Sequence, residues 1–256
     1  MLKEVVVTGS RIYIPGLKST SPVTSISAKA IAETGATSVE QVLNQLPQVT
    51  ASNGNMDSNG SSGISTVDLR NLGPTRTLVL INGRRLMPGD LSPSGGITNA
   101  ADINNIPTAL VERVDVLTGG ASSVYGADAV AGVVNFVMND HFQGFEIDAN
   151  ASAYQHSQHE SFFGSLAPAA GYGSASSSTM DGADKDITFI LGSDFAGGKG
   201  NATAYVSWRK VQPVLQSTRD FSRCSLSSNS KGVMSCSGSS TAFSALLSFS
   251  FETSLL

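Results

Sequence analysis

Four groups of residues have types and spacing that could do chemistry. Cys224 and Cys236 lie 12 positions apart in a Ser/Gly-rich stretch, which suits either a disulfide in an oxidising compartment or two free thiols. His156 and His159 are three apart and could hold a metal ion, but their Ser-rich surroundings supply no third ligand. Gly119-Gly120 follows an apolar run and precedes a short helix-tolerant segment, the order of a turn that cradles phosphate. No Gly-Lys-Ser/Thr follows it, and there is no G-x-G-x-x-G. Arg70, Arg76, Arg84 and Arg85 gather in a chain whose charged residues are only 14%, against about 25% in soluble proteins. No Ser/His/Asp set, carboxylate pair or Cys/His couple stands out. The expectation from these residues is no enzyme, no cofactor and no metal.

Composition narrows the class further. The 256 residues suffice for one large or two small domains. Hydrophobic residues make up 40%, yet no apolar run reaches the roughly 18 residues of a membrane helix. A low-charge chain with 26 glycines and no spanning helix suits a β-rich secreted or outer-membrane protein, whose strands alternate rather than run apolar. The net charge of −4 argues against a nucleic-acid partner. Met1-Leu2-Lys3 leads into the first motif without the apolar core of a secretory signal.

The elements that must position these residues centre on Ile106 to Met138, which reads as strand, glycine turn, short helix, strand. Val111, Val114, Val116 and Leu117 form one buried strand, and Ala131 to Met138 forms the second. Gly119-Gly120 permits the turn between them, Ala121 to Tyr125 is the short helix, and Gly126 stops it. Upstream, Pro22 to Ile26 reads as a strand and Ala28 to Glu33 as a short helix ended by Gly35. A second helix has Thr37 as its cap and Glu40 three residues on. Its apolar face is Val39, Val42, Leu43 and Leu46, and Pro47 ends it. Ala51 to Ser65 is a polar loop, Thr66 to Arg70 a strand, and Thr77 to Ile81 a buried strand. Asn82-Gly83 then turns the chain back into Arg84-Arg85-Leu86. Pro88 to Asn105 is loop.

After Asn139 the period changes to two. Phe145, Ile147, Ala149, Ala151 and Ala153 alternate with polar residues over a length that matches the ~9–11 residues of a tilted transmembrane strand. Ile187, Phe189, Leu191 and Phe195 alternate similarly, with Ser193 an exception. Gly197-Gly198-Lys199-Gly200 turns tightly, and Ala202, Ala204, Val206 and Trp208 alternate against Thr203, Tyr205, Ser207 and Arg209. Trp208 and Tyr205 together suit an aromatic girdle. A small soluble antiparallel sheet would alternate in the same way.

The run Val111-Glu112-Arg113-Val114-Asp115-Val116-Leu117, then Gly-Gly-Ala-Ser-Ser-Val-Tyr-Gly at 119 to 126, then Ala-Gly-Val-Val-Asn-Phe at 131 to 136, resembles the plug domain of the TonB-dependent outer-membrane receptors. Asp68 to Gly73 with Thr77 to Arg85 resembles the same family. The resemblance covers roughly residues 4 to 241. It implies an α+β plug, a small mixed sheet with short helices, followed by the antiparallel strands of a truncated transmembrane β-barrel. The implied division is a TonB-box segment and tether over 1–21, a plug over 22–140, three barrel strands over 141–215, and an outer loop with an anomalous end over 216–256.

What the resemblance implies for function is active import across a Gram-negative outer membrane, with the plug facing the periplasm. A scarce solute such as a ferric siderophore, cobalamin or a glycan binds outside. The inner partner TonB, with ExbB and ExbD behind it, takes hold of the TonB box at Glu4, Val5, Val6, Val7, Thr8 and Gly9 and remodels the plug using the proton gradient. Outer-membrane lipid is the remaining partner. Arg70, Arg84, Arg85, Glu112 and Arg113 are the expected plug-seating residues, and Gly119, Gly120, Tyr125 and Gly126 form the plug elbow. With the plug leaving on the periplasmic side, the cysteine loop falls outside the cell, which favours a Cys224–Cys236 disulfide contributing about 3 kcal/mol by chain entropy. Such a receptor needs a signal peptide and a 22-strand barrel. The expectation is therefore an N-terminally clipped or mature-form chain that is also a fragment, from a truncated or frame-shifted reading frame or an excised piece, and that does not transport by itself. The competing readings are a secreted β-rich adhesin or carbohydrate-binding module, which predicts a compact soluble fold, and an enzyme with a phosphate site at Gly119-Gly120.

Overall fold

A computed structural model describes residues 8, 22–52, 54, 64–89, 100–159 and 161–237. Glu4 to Val7, Gly9, most of the expected tether and the anomalous end lie outside the described residues. The described chain falls into two compact units, one within residues 1–152 and 184–211 and the other within 153–183 and 212–256.

In the first unit, β1 (Val23–Ser27) runs into α1 (Ala28–Glu33), whose first turn is capped by the Ser27 hydroxyl accepting from Ala30 N–H at 3.3 Å. Gly35, at φ +65°, turns the chain out of the helix. α2 (Val39–Leu43) buries Val39, Val42 and Leu43, the face expected from their spacing. Its cap is Ser38, one residue later than the sequence suggests, and Ser38 Oγ accepts from Gln41 N–H. The reason is that Thr37 is engaged elsewhere, through its N–H to Gln41 Oε1 at 3.0 Å and its hydroxyl to Asp184 at 2.6 Å. Glu40, expected to close the capping box, accepts instead from the Ser65 hydroxyl at 2.7 Å.

β2 (Val49–Thr50) and β3 (Asp68–Leu69) form a two-residue ladder, shorter than the strand expected over Thr66 to Arg70. β4 (Thr77–Ile81) turns at Asn82 and Gly83, both at positive φ, into β5 (Arg84–Arg85). Two consecutive positive φ values are what a tight right-twisting hairpin needs, and Asn-Gly supplies them. β6 (Val111–Leu117), α3 (Ser122–Tyr125) and β7 (Gly132–Met138) follow as anticipated. The strands assemble in the order β1-β6-β7-β4-β5, with β4 parallel to β7 and the other pairs antiparallel. The sheet is mixed, as expected.

Apolar residues cover both faces of the central strands. Val134 and Phe136 pack with Val114, Val116, Val42 and Leu43 on one side. Val133 packs with Leu78, Leu80 and Leu117 on the other. Double-sided burial is why Ala131 to Met138 is nearly unbroken in apolar residues rather than alternating. Each fully buried side chain of this kind contributes about 1.5–3 kcal/mol relative to exposure. Gly132 has φ +143°, and a Cβ there would stand 2.3 Å from the Leu117 carbonyl oxygen and 2.8 Å from Leu69 Cδ1.

A second sheet, ordered β10-β9-β8, is built from β8 (Gly144–Ser157), β9 (Ser178–Phe195) and β10 (Gly200–Val211), with β10 antiparallel to β9. It shares no strand with the first sheet, and neither apolar core draws a residue from it. Its two faces differ as the alternation requires. Phe145, Ile147, Phe189, Leu191, Val206 and Trp208 are exposed on one face. Asp148, Asn150, Asp186, Thr188, Ser207 and Arg209 line a cavity on the other. Tyr205 lines that cavity too, so it does not share an aromatic girdle with Trp208. An odd separation in a strand puts the two side chains on opposite faces.

The strands run further than their apolar stretches. β8 extends to Ser157, β9 begins at Ser178, and α4 (Ser161–Ala169) interrupts what the sequence suggests is one loop from Gln155 to Lys185. The apolar residues within 178–186, Met180 and Ala183, fall on opposite faces, so this stretch carries no period-two signal.

The second unit carries the hairpin β11 (Ser225–Ser228) and β12 (Met234–Ser237), where the sequence suggests loop. Cys224 and Cys236 are disulfide-bonded across its base with Cα atoms 5.6 Å apart. Asp181 holds the same unit together by accepting from Arg219 Nη1 at 2.7 Å and from the Thr218 hydroxyl at 3.0 Å.

Candidate functional site

Three constellations in the first unit bring polar side chains and turn glycines together. The first is a polar node under the sheet edge. Asp115, on β6 and 5% exposed, accepts from the Thr8 hydroxyl at 2.9 Å, the Ser25 hydroxyl at 2.7 Å and Arg113 Nε at 3.3 Å. Thr8 Oγ1 in turn accepts from Asn135 Nδ2 at 3.1 Å. A buried carboxylate must be saturated with donors to remain charged at low cost. Two of its donors come from the N-terminal side of the sheet, one from the edge strand β1 and one from Thr8. Thr8 is 4% exposed, so this member of the expected TonB box is docked on the domain; the other five lie outside the described residues.

The second constellation joins the domain to the three-stranded sheet. Asp184, 2% exposed, accepts from Thr37 at 2.6 Å and from Arg209 Nη2 at 2.7 Å. The three residues come from the start of α2, from β9 and from β10. Beside them a cavity of about 560 Å³ separates α1, α2 and the Ile103–Val111 segment from the polar face of the sheet. Asn150 Nδ2 donates across the sheet to Asp186 at 3.3 Å on this face. The connecting segment is fixed at its end. The Phe142 carbonyl accepts from Asn201 Nδ2 at 2.8 Å, and a Cβ on Gly192 would stand 2.3 Å from that carbonyl oxygen.

The third is the glycine elbow. Gly120 at φ +61° and Gly126 at φ +89° bracket α3, Gly119 begins the turn, and Ser123 Oγ donates to the Gly120 carbonyl at 2.7 Å. Arg85 holds the elbow by donating to the Tyr125 carbonyl and to the Asp128 carboxylate. A four-residue helix with an arginine already engaged against its end does not present the amide array of a phosphate cradle.

The expected seating residues spread over different tasks. Arg70 donates to the Ala131 carbonyl at 3.2 Å and the Val130 carbonyl at 3.0 Å. Arg85 grips the elbow and Arg113 the Asp115 node. Arg84 is exposed and Glu112 half-buried. Arg76 donates to the Leu72 carbonyl at 3.0 Å. Thr37 is bonded to Asp184 of the sheet, whose carboxylate also takes Arg209 of the neighbouring strand, and sequence reasoning missed all three. Their one sequence signal is that Arg209 occupies a polar position of the alternation over Ala202 to Trp208, whereas Asp184 precedes the alternating stretch of its strand. In the other unit, His156 Nε2 lies 3.5 Å from Asp220 Oδ1 and its ring meets Phe221 edge-on at 5.5 Å, whereas His159 is exposed. Among the described residues no cluster of three or more His, Cys, Asp and Glu side chains is placed to hold a metal ion.

Residues 15–133 match the family described as the TonB-dependent receptor plug domain. The chain is similar in fold to a ferric enterobactin receptor mutant from Pseudomonas aeruginosa, with 24% identity, a TM-score of 0.53, and coverage of 75% of this chain and 25% of that one. It is similar also to the siderophore receptor PirA from Acinetobacter baumannii, with 20% identity, a TM-score of 0.50, and coverage of 74% and 24%. The chain therefore spans about a quarter of the length of these receptors.

Proposed function

Because residues 15–133 are the plug domain of a TonB-dependent receptor and the strands after them follow the receptor fold, we propose that this chain seats, holds and releases the plug of an outer-membrane importer for a scarce ferric siderophore. The family is one of receptors and transporters rather than enzymes. The solute class rests on the ligands in the names of the similar receptors. Cobalamin and glycans are the other solutes such receptors would take. In this reading Glu4 to Gly9 is the segment TonB captures, with ExbB and ExbD energising it from the inner membrane. The plug over residues 22–140 is the gate, and the strands over 141–215 are the first staves of the wall.

The observation that carries the reading is the docked Thr8. A segment offered to a periplasmic partner must be held near the plug yet be removable, and Thr8 is held by hydrogen bonds to Asp115 and Asn135. Net hydrogen bonds of this kind contribute about 0.5–1.5 kcal/mol each, so a pulling partner can outcompete them. The test is binding of a synthetic peptide covering residues 4–11 to the C-terminal domain of TonB by calorimetry. Saturable binding at low to middle micromolar concentration, on the order of −7 to −8 kcal/mol, is expected. No binding at high micromolar concentration overturns the reading.

A further inference from the structure

The outward face of the wall carries one pair of residues that its apolar surroundings do not explain. In the β9–β10 ladder, Lys210 lies directly opposite Lys185, with Trp208 opposite Ile187 and Val206 opposite Phe189. Directly opposed residues on antiparallel strands point to the same side, and steps of two keep that side. The two lysines therefore share the face of Trp208, Ile187, Phe189 and Val206. Asp184, Asp186 and Arg209 belong to the other face. Both lysines are exposed, and among the described residues neither has an ion-pair partner. Like charges set directly opposite one another destabilise a ladder unless an anion lies between them.

Their height is as specific as their register. From Phe195, beside the short turn, to Lys185 is ten residues along β9. At about 3.3 Å per residue and a tilt near 45°, that is about 23 Å along the membrane normal. The lipid-facing band of such a wall is about 25 Å tall. The lysines thus stand at the rim of the band away from the short turn, which is the outer rim where short turns are periplasmic. We propose that Lys185 and Lys210 form a binding site for the phosphate of an anionic lipid headgroup in the facing leaflet, with the acyl chain lying over Trp208, Ile187, Phe189 and Val206. The occupant is a lipid rather than a soluble anion because the ammonium pair and the apolar surface are continuous. The proposal rests on the reading of residues 144–152 and 185–211 as membrane wall.

Trp208 is the single tryptophan of the chain, and it neighbours Lys210 on this face, so its fluorescence reports the site alone. The full chain is placed in phosphatidylcholine bicelles and titrated with brominated phosphatidylglycerol or brominated phosphatidylcholine. The anionic lipid is expected to quench Trp208 at about a tenfold lower mole fraction, since each lysine near an anionic surface favours association modestly. The Lys185→Gln/Lys210→Gln double variant is expected to lose that preference while keeping quenching by the zwitterionic lipid. Lys199→Gln, at the opposite turn, and the double arginine variant are expected to keep the preference. Equal quenching by both lipids, or a preference that survives in the double glutamine variant, overturns the proposal and leaves the wall intact. Loss of the preference on adding millimolar inorganic phosphate assigns the pair to a soluble anion and also overturns it. Absence of quenching by either lipid overturns the wall reading itself.

Discussion

The Thr37 hydroxyl donates to the Asp184 carboxylate at 2.6 Å, so the start of α2 is bonded directly to an inward-facing residue of β9. Asp184 is at the same time the partner of Arg209 on β10. One carboxylate therefore serves the plug and the wall together. Replacing it with Ala leaves Arg209 without its partner in a mostly buried setting. The expected cost is about 3–5 kcal/mol. Thr37→Val removes one hydrogen bond and is expected to cost about 1 kcal/mol. Denaturant unfolding of the detergent-solubilised chain, followed by protection of residues 28–43 from hydrogen exchange, checks both. Equal and negligible effects would show that the plug is seated by other contacts.

Gly132→Ala is expected to be among the most disruptive single changes in the plug. The new methyl would meet the Leu117 carbonyl at 2.3 Å and Leu69 Cδ1 at 2.8 Å, at a φ of +143° that side chains resist. A loss of about 3 kcal/mol or more is anticipated from strain and clash together. Gly35→Ala, where a Cβ meets nothing within 4 Å but φ is +65°, separates the terms and should cost about 1 kcal/mol. Matched thermal unfolding of the two variants decides this.

Thr8→Val and Asp115→Asn are expected to loosen the N-terminal segment. A partner that binds only the undocked form of Thr8 would see its affinity reduced by the undocked fraction. Removing about 1 kcal/mol of docking should raise the apparent affinity of the full chain for TonB about fivefold, with the affinity of the isolated 4–11 peptide unchanged by Asp115→Asn. Unchanged affinity in both variants would mean that docking of Thr8 does not limit capture.

Much of this arrangement is legible in the sequence, for identifiable reasons. Asn82-Gly83 announces its hairpin because few other pairs tolerate two positive φ values. The apolar run over Ala131 to Met138 announces double-sided burial, and the alternation over Phe145 to Ala153 announces a two-faced strand. The start of α2 is displaced by one residue because a tertiary bond from Thr37 to Asp184 outweighs a local cap, and nothing in the local sequence records it. Residues 153–157 of β8, 178–186 of β9 and the hairpin at the disulfide hold few apolar residues and no sustained alternation. Their pairing leaves no periodic trace. The seating residues are hardest of all to read, since an arginine's partner is fixed by topology. Arg70, Arg85 and Arg113 meet groups of the plug itself, and Arg209 meets Asp184.

In the second unit, Asp181 precedes the alternating stretch of its strand, and Arg219 holds its carboxyl below the ordinary carboxylate value of 3.8. A lowered folded-state value means that the stabilisation is present above that ordinary value and is lost as pH falls through the lowered one. Acid titration is therefore expected to open the Thr218–Arg219 turn below about pH 3.8. Asp181→Asn should open it at every pH. Amide exchange at Thr218 and Arg219 reads the result, and a pH-independent turn in the unmodified chain would contradict it.

Reduction of Cys224–Cys236 is expected to loosen β11 and β12 without affecting the plug. The entropic value of closing so short a loop is about 3 kcal/mol, comparable to what a lone four-residue hairpin lacks. Limited proteolysis should cut between Ser225 and Ser237 only after reduction, with residues 64–89 and 100–138 equally protected before and after.

The claim on which the account turns is that residues 144–152 and 185–211 face lipid on one side and the plug on the other. The direct measurement is nitroxide accessibility in bicelles at 203 through 208, with single labels and the disulfide left oxidised. Labels at Ala204, Val206 and Trp208 should collide with oxygen dissolved in lipid, and labels at Thr203, Tyr205 and Ser207 should not, giving a two-residue period. A flat profile, or collision with a water-soluble relaxant at all six positions, would contradict it.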